Sequence, residues 1–487
     1  MGALSELKPH DVFNYFEQIT KIPRSSYNEK AISDYIRNWA LALNIEGLEV
    51  IQDEMYNLVI RKPASKGYEA SQTVIIQGHL DMVAEKYTET SFDFSTQPLN
   101  IFIEGDYIKA KGTTLGADNG VAVAYAMAII ADASLAHPPL EVILTTVEEA
   151  GMDGAHALKP ELITGTRLIN IDSEEEGVFL SSCAGGARVT VGLDIEYTEL
   201  DKKEYSSFRL YVGGLRGGHS GMDIDKEKGN SNKIIARVLN SLKTPYVLFN
   251  LTGGAKDNAI PRQSWACIYI EDQHVDAFKQ EVEAINHIIK KEYEATEDNL
   301  LVELKDFMAN TKNVFSEQTK QRLISLLLYI PSGVCHMSAK LAGLVETSNN
   351  LGVVRKIDTK TIFLTCAVRS SVDTRKEALI QLIKNIADTF GATFEVNSSY
   401  PGWEYSESSA LRSVFVDTYK ELYNKEAKVV AIHAGVECGI FMDKKEGLDA
   451  ISFGPNMHDV HTPQEKLSIS STKNTYEFLL KVLKNLK

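Results

Sequence analysis

Four runs of buried-strand character each lead to a side chain that binds metal ions, and this recurrence restricts what the chain can fold into more than any other property of it. Residues 74–77 run into Gly78-His79-Leu80-Asp81, 141–147 into Glu148-Glu149, 168–171 into Asp172, and 450–453, through a Gly-Pro loop, to His461. Asp118 opens an alanine-rich stretch, Asp-Asn-Gly-Val-Ala-Val-Ala-Tyr-Ala-Met-Ala-Ile-Ile, whose residues favour helix and close packing. Asp118 suits the N-cap of that helix. Strand and helix in alternation predict an α/β sheet covered on both faces. In such sheets ligands gather at the carboxyl ends of strands, which is where these side chains fall.

The rest of the chain divides by texture. Residues 9–22 and 29–43 carry apolar side chains at helical spacing, punctuated by Pro23-Arg24-Ser25-Ser26, and 48–52 and 58–61 read as strands. After Ser181-Ser182-Cys183-Ala184-Gly185-Gly186 the strands become half-polar, at 208–212, 265–270 and 362–368, with amphipathic helices near 232–242 and 275–291. That is the pattern of an antiparallel sheet with helices on one face. From Pro401-Gly402-Trp403 the strand–helix alternation returns, ending in a helix at 472–486. No internal repeat is visible in the sequence. The expectation is an α/β domain in two stretches, 1–187 and 401–487, with a mixed central sheet flanked by helices, and a second, α+β domain at 188–400. A length of 487 residues exceeds what one ordinary core holds and agrees with two or three domains.

Composition excludes several functions. Apolar residues make up 44% and charged residues 24%, as in ordinary globular proteins. A net charge of −15, with no long Lys/Arg cluster to offset it, argues against a nucleic-acid partner. No apolar run approaches the ~20 residues that span a bilayer, so no membrane partner is expected. The N-terminal residues lack a basic patch followed by a hydrophobic core, and the five scattered cysteines show no pairing pattern. Both features predict free thiols in a reducing cytoplasm.

His79, Asp118, Glu149, Asp172 and His461 form the candidate ligand set. Imidazole nitrogen and carboxylate oxygen suit zinc, with cobalt or manganese as alternatives. A two-metal site holds its ions roughly 3.5–4 Å apart and needs a bridging ligand. Asp118, short and fixed at a helix start, is the natural bridge. Glu148 then remains as the general base that takes a proton from water attacking a carbonyl carbon. Adjacent side chains on a strand point to opposite faces, so both glutamates serve one site only if the strand has ended or bulged there. Asp81, two residues after His79, is placed to hold the free ring N–H of that imidazole.

The segments Gly-His-Leu-Asp-Met-Val (78–83), Thr-Thr-Leu-Gly-Ala-Asp-Asn-Gly (113–120), Glu-Glu-Ala-Gly-Met-Asp-Gly-Ala (148–155) and Asn-Ile-Asp-Ser-Glu (170–174) resemble those of the M20 metallopeptidases. Tyr-Pro-Gly-Trp (400–403), His-Ala-Gly-Val-Glu-Cys-Gly (433–439) and His461-Thr462-Pro463 narrow the resemblance to the aminoacyl-histidine (Xaa-His) dipeptidases, the PepD-type cytosolic enzymes. The resemblance covers essentially the whole chain. It implies a zinc-peptidase-like catalytic domain with a dinuclear site, His79 and Asp172 on one metal, Glu149 and His461 on the other. It also implies that the second domain, inserted in the first, is a lid that closes over a small peptide substrate, and that the chain forms a homodimer through it.

The same resemblance carries three lid residues over. His219, in Gly-Gly-Leu-Arg-Gly-Gly-His-Ser-Gly (213–221), matches a histidine that hydrogen-bonds the substrate carbonyl, in some dimers across the subunit boundary. Asn258 matches a substrate-contacting asparagine, and Arg369 a clamp on the terminal carboxylate, for which a planar two-pronged donor is suited. Glu437 is a candidate partner of the substrate's amino group. Glu404-Tyr405 after Pro-Gly-Trp, and the polar run Asn456-Met457-His458-Asp459-Val460, depart from the pattern and bear on side-chain preference. His458 competes with His461 as a ligand, and Pro463 favours His461. The expected activity is dipeptide hydrolysis, with Xaa-His and β-alanyl-His as substrates. A tripeptidase or N-acyl-amino-acid deacylase is the alternative, and a non-catalytic binding protein a more distant one.

Overall fold

A computed structural model of the chain describes residues 2–201 and 203–487. It divides into two compact units. The first holds the residues up to Ser182 with Tyr405–Ala431 and Val436–Lys487, and the second Cys183–Glu404 with Ile432–Gly435.

The first unit is built on an eight-stranded mixed sheet. In spatial order its strands are Glu49–Gln52, Leu58–Lys62, Leu140–Thr145, Val74–His79, Arg167–Asn170, Asp449–Ser452, Val178–Cys183 and Lys428–Ile432. The centre is parallel: Val74–His79 pairs in parallel with both Leu140–Thr145 and Arg167–Asn170, which in turn pairs in parallel with Asp449–Ser452. The central strands Val74–His79 and Leu140–Thr145 are buried throughout, and apolar residues dominate both, with Gln77, His79, Glu141 and Thr145 as buried polar exceptions.

The helix Ala117–Ala131 packs on these strands, and its only residues not fully buried are Asp118 and Ala131. Small side chains permit that depth. A Cβ on Gly78 would lie 2.4 Å from Asn119 Oδ1 and 2.6 Å from Ala122 Cβ. Lys62, itself buried, donates from Nζ to the carbonyls of Ile129 and Asp132 at 3.0 and 2.7 Å, placing a cation on the negative end of the helix. Phe179, Phe415, Phe453 and Phe478 pack edge-to-face and stacked beneath the strands, with centroids 5.2–6.5 Å apart.

The second unit is an antiparallel sheet backed by helices, and it contains a repeat that the sequence conceals. Tyr205–Gly213, a helix at Ser231–Ser241, Val247–Gly253, Ser264–Glu271, a helix at Val275–Glu292 and Leu301–Asp306 form one β-α-β-β-α-β motif. Gly185–Asp194, a helix at Glu317–Tyr329, Val345–Lys356, Thr361–Ser370, a helix at Asp373–Thr389 and Thr393–Tyr400 form another. In each motif the spatial order is fourth strand, first, third, second. The motifs join edge to edge through their second strands, at Gly253 and Val354. The expectation of no internal repeat is therefore corrected. The two copies keep the topology and the apolar face that packs on the helices, but not the side chains, so no sequence period survives.

Candidate metal centre

Strand ends position the centre. The strand Val74–His79 delivers His79, whose ring is fully buried. Its Nε2 lies 3.1 Å from Asp118 Oδ1 and 3.6 Å from Asp172 Oδ1. His461 Nε2 lies 3.1 Å from Asp118 Oδ2 and 3.0 Å from Glu149 Oε2. The two oxygens of Asp118 thus face two different histidines. The potential ligand atoms of His79, Asp118 and Asp172 lie within 4.8 Å of one another, as do those of Asp118, Glu149 and His461. A third such group joins His79, Glu148 and Glu149.

Asp118 does not cap its helix. The helix is entered through Gly116, and Asp118 lies inside its first turn with a non-helical φ and ψ of −79° and 104°. Its carboxylate faces the histidines instead, because another residue satisfies the helix start. Glu465 accepts from the N–H groups of Leu115 and Gly116 through Oε2, at 2.7 and 2.9 Å, and from those of Ala117 and Asp118 through Oε1, at 2.7 and 3.3 Å. The adjacent Asn119 donates from Nδ2 to Ile171 O and Asp172 Oδ1, at 2.7 and 2.8 Å, and accepts from His79 N at 3.3 Å.

The strand that leads to the glutamates ends at Thr145, and Val147 adopts φ +56°. Glu148 and Glu149 therefore sit on a turn, free of strand alternation. Asp81 shapes that turn as well as orienting His79. Its Oδ1 is 3.3 Å from His79 Nδ1 and accepts from Glu148 N at 3.0 Å, while Oδ2 accepts from Glu149 N at 3.2 Å and Ser26 Oγ at 2.8 Å.

The electrostatics of these groups fit a resident cation. Burial works against a charged imidazole at His79, but Asp118, Asp172 and Asp81 outweigh it and raise its pKa well above the ordinary value. Hydrogen bonds to Asp118 and Glu149 push His461 up to about 11. Burial disfavours the Asp118 carboxylate, yet His461 and His79 hold its pKa far below the usual range. Burial and the neighbouring carboxylates raise Asp172 to about 6 and lift Glu148 well above the usual carboxylate value. Protons on the two histidines thus occupy positions where divalent cations would balance the same carboxylates. Glu149 Oε1 is buried without a hydrogen-bond partner, a further acceptor open to a metal.

Glu437 and His458, the remaining candidates, lie in different surroundings. Glu437 has its carboxylate among protein groups. It is fully buried, accepts from Gln77 Nε2 at 2.5 Å and Thr145 Oγ1 at 2.7 Å, and burial raises its pKa to about 8. It stands immediately before the helix Cys438–Lys444, and its two partners lie on the central strands Val74–His79 and Leu140–Thr145. His458 is exposed, in a strand paired with Lys466, with its ring 5.9 Å from that of Tyr107.

The second unit brings His219, Asn258 and Arg369 into one neighbourhood. His219 Nδ1 accepts from Gly221 N at 3.2 Å and Met222 N at 3.1 Å, so the ring proton resides on Nε2. Burial, with Arg369 adding to it, lowers the His219 pKa to about 4, which keeps the imidazole neutral. His219 and the exposed Asn258 line a cavity of about 970 Å³ with Arg262 and Trp265. Arg369 is buried, and donates from Nε to Ser220 Oγ at 3.3 Å and from Nη1 to Tyr400 Oη at 3.2 Å. Asp373, a possible competitor for it, is held by Lys376 and Gly402 N instead.

Arg24, Asn119 and Glu465 escaped sequence reasoning. Asn119 follows Asp118 and carried a helix-start signal only. Arg24 and Glu465 lie in Pro-Arg-Ser-Ser and Thr-Pro-Gln-Glu segments that read as ordinary loops.

The family described as peptidase family M20/M25/M40 matches residues 75–485. The cytosol non-specific dipeptidase of Escherichia coli (strain K12) is 38% identical over 488 residues, covering 100% of this chain and 99% of that protein. The crystal structure of aminoacylhistidine dipeptidase from Vibrio alginolyticus superposes with a TM-score of 0.90 at 34% identity, covering 99% of this chain and 98% of the other. Aminopeptidase PepT from Bacillus cereus ATCC 10987, at a TM-score of 0.57 and 15% identity over 99% of both chains, shares the fold.

Proposed function

Because the chain belongs to peptidase family M20/M25/M40, we propose that it is a metal-dependent dipeptidase with a dinuclear centre, hydrolysing Xaa-His dipeptides and β-alanyl-His. The observation that carries this reading is the meeting of two histidine–carboxylate trios at the two oxygens of Asp118, with Glu148 beside them. His79 and Asp172 would hold one cation, Glu149 and His461 the other, with Asp118 between; zinc suits this donor set, and cobalt or manganese can replace it. When bound, such cations polarise a carbonyl and lower the pKa of water.

The chain's own residues do the rest. Glu148, its proton affinity raised by burial, accepts a proton from the attacking water and returns it to the leaving amine. Asp81 keeps His79 in one orientation and fixes the turn that carries Glu148. His219, neutral with its proton on Nε2, is a ready donor to the carbonyl oxygen as negative charge develops there. Arg369 is the carboxylate clamp and Asn258 a contact at the cavity wall. The relatives from Vibrio alginolyticus and Escherichia coli are dipeptidases, which supports this substrate class. A cytoplasmic location and a homodimer through the second unit complete the proposal.

The test is hydrolysis of Ala-His, Gly-His and β-alanyl-His before and after chelation, with metal counted per chain and tripeptides and N-acyl amino acids run alongside. Two metals per chain, loss of activity on chelation and recovery on adding Zn²⁺ or Co²⁺ are expected. Turnover of N-acyl amino acids alone would refute the dipeptidase assignment.

A further inference from the structure

Two buried charged residues outside the ligand set clamp the loops that carry it. Arg24 is 2% exposed. Its Nη1 donates to the carbonyls of Leu80 and Asp81 at 2.9 and 3.0 Å, and its Nη2 to the carbonyl of Gly116. One guanidinium therefore ties the loop after His79 to the loop before Asp118. Glu465, 3% exposed, grips the second loop through its four N–H groups and sits four residues after His461. It thus ties the His461 segment to the Asp118 segment.

The surroundings of Arg24 leave room for nothing larger. A Cβ at Gly116 would fall 2.6 Å from Arg24 Nη2, and one at Gly120 2.7 Å from the same atom. Gly116 also adopts φ +67°. Burying a guanidinium and a carboxylate costs several kcal/mol each before compensation, and apolar residues of similar volume often serve stability better. Their presence points to a positional task.

We infer that Arg24 and Glu465 are positioning residues that hold His79, Asp118 and His461 at the spacing two cations require, and so set metal affinity without touching substrate. This rests on the dinuclear reading above. The three ligands come from segments up to 382 positions apart, and these two side chains are what fasten their loops together. Partners that orient metal ligands typically contribute 10- to 100-fold in affinity.

The experiment uses the full chain with Glu465→Gln and Arg24→Lys. Glu465→Gln keeps the shape but turns an NH₂ group toward N–H donors, and Arg24→Lys keeps the charge but cannot reach three carbonyls as a planar fork. Zn²⁺ affinity is read by competition with a chelator, and ligand geometry by the visible spectrum of the Co²⁺ form. The expected result is affinity weaker by about 10- to 100-fold for at least one metal, with an altered Co²⁺ spectrum and activity recovering as metal is raised. The rise in melting temperature on adding Zn²⁺ should shrink accordingly. Variants that melt lower with and without metal by the same amount, at unchanged affinity and Co²⁺ spectrum, would show a purely structural role and overturn the inference. Wild-type protein that binds no metal would instead refute the metal centre itself. Should Arg24→Lys not fold, Glu465→Gln decides alone, since the clamp predicts the same loss from either side.

Discussion

Glu148 and the histidines of the second unit show how local surroundings set what a side chain can do. Glu148 is held on its turn by Asp81, and burial, with Asp172, Glu149 and Glu437 adding to it, raises its proton affinity. Glu148→Gln should therefore retain bound metal and lose turnover by at least ~10²-fold, as for a lost general base; metal analysis beside kcat tests this, and unchanged turnover would remove it from the mechanism. His433 is held by Ser348 Oγ at 2.7 Å, and burial, with Arg369 and His219 adding to it, lowers its pKa to about 3. His219, at about 4, shares this behaviour. Between these values and about 6.5 the unfolded chain binds protons that the folded chain excludes. Stability should thus rise with pH over that window, by about 1.4 kcal/mol per pH unit for each excluded proton, and fall on acidification. In metal-free protein, the urea midpoint of His433→Gln should fall less between pH 7 and pH 5 than that of wild type. Parallel curves would mean that His433 is not kept neutral by the fold.

At the scale of elements, the decisive event is where a strand stops. The sheet alternation ends at Thr145, so Glu148 and Glu149 both turn toward the centre. The short helix Asp153–Ala157 closes that turn, with Gly154 N donating to Thr146 O at 3.1 Å. A Cβ on Gly154 would lie 2.3 Å from Thr146 O and 2.6 Å from both Thr146 N and Asn57 Oδ1. Two of those atoms belong to the backbone and cannot rotate away. Gly154→Ala should cost about 1–3 kcal/mol, the usual range for overpacking, and lower kcat more than it changes KM if the displaced segment carries the proposed base, Glu148. Urea denaturation beside steady-state kinetics checks both, and wild-type values in each would show that the turn yields freely.

At the scale of the whole molecule, the repeat in the second unit bears on assembly. His219 follows the first strand of one motif and Arg369 lies on the third strand of the other, yet Arg369 Nε reaches Ser220 Oγ at 3.3 Å within one chain. The two motifs join within one chain where Val247–Gly253 meets Val345–Lys356, at Gly253 and Val354. The bond from Arg369 to Ser220, the residue after His219, is thus made without a partner subunit. Mixing His219→Ala with Glu148→Gln protein should restore no activity. Recovery of part of the wild-type rate on mixing would show that His219 acts across a dimer.

The sequence by itself determined the fold class and the family, because apolar periodicity and residue order are local and survive without coordinates. It also named the five candidate ligands, since each stands at a strand end or helix start marked by its neighbours. Tertiary structure alone decided the rest. Asp118 was read both as bridging ligand and as helix cap, but Glu465, 347 residues away, binds the N–H groups of the helix start, while Asp118 faces the histidines. The partners of Glu437 are likewise remote, for its carboxylate accepts from Gln77 and Thr145, 360 and 292 residues away. The two motifs of the second unit keep a strand order and no shared side-chain pattern. In each case the partner is remote in the chain, and a hydrogen bond between remote segments leaves no periodic trace in either of them.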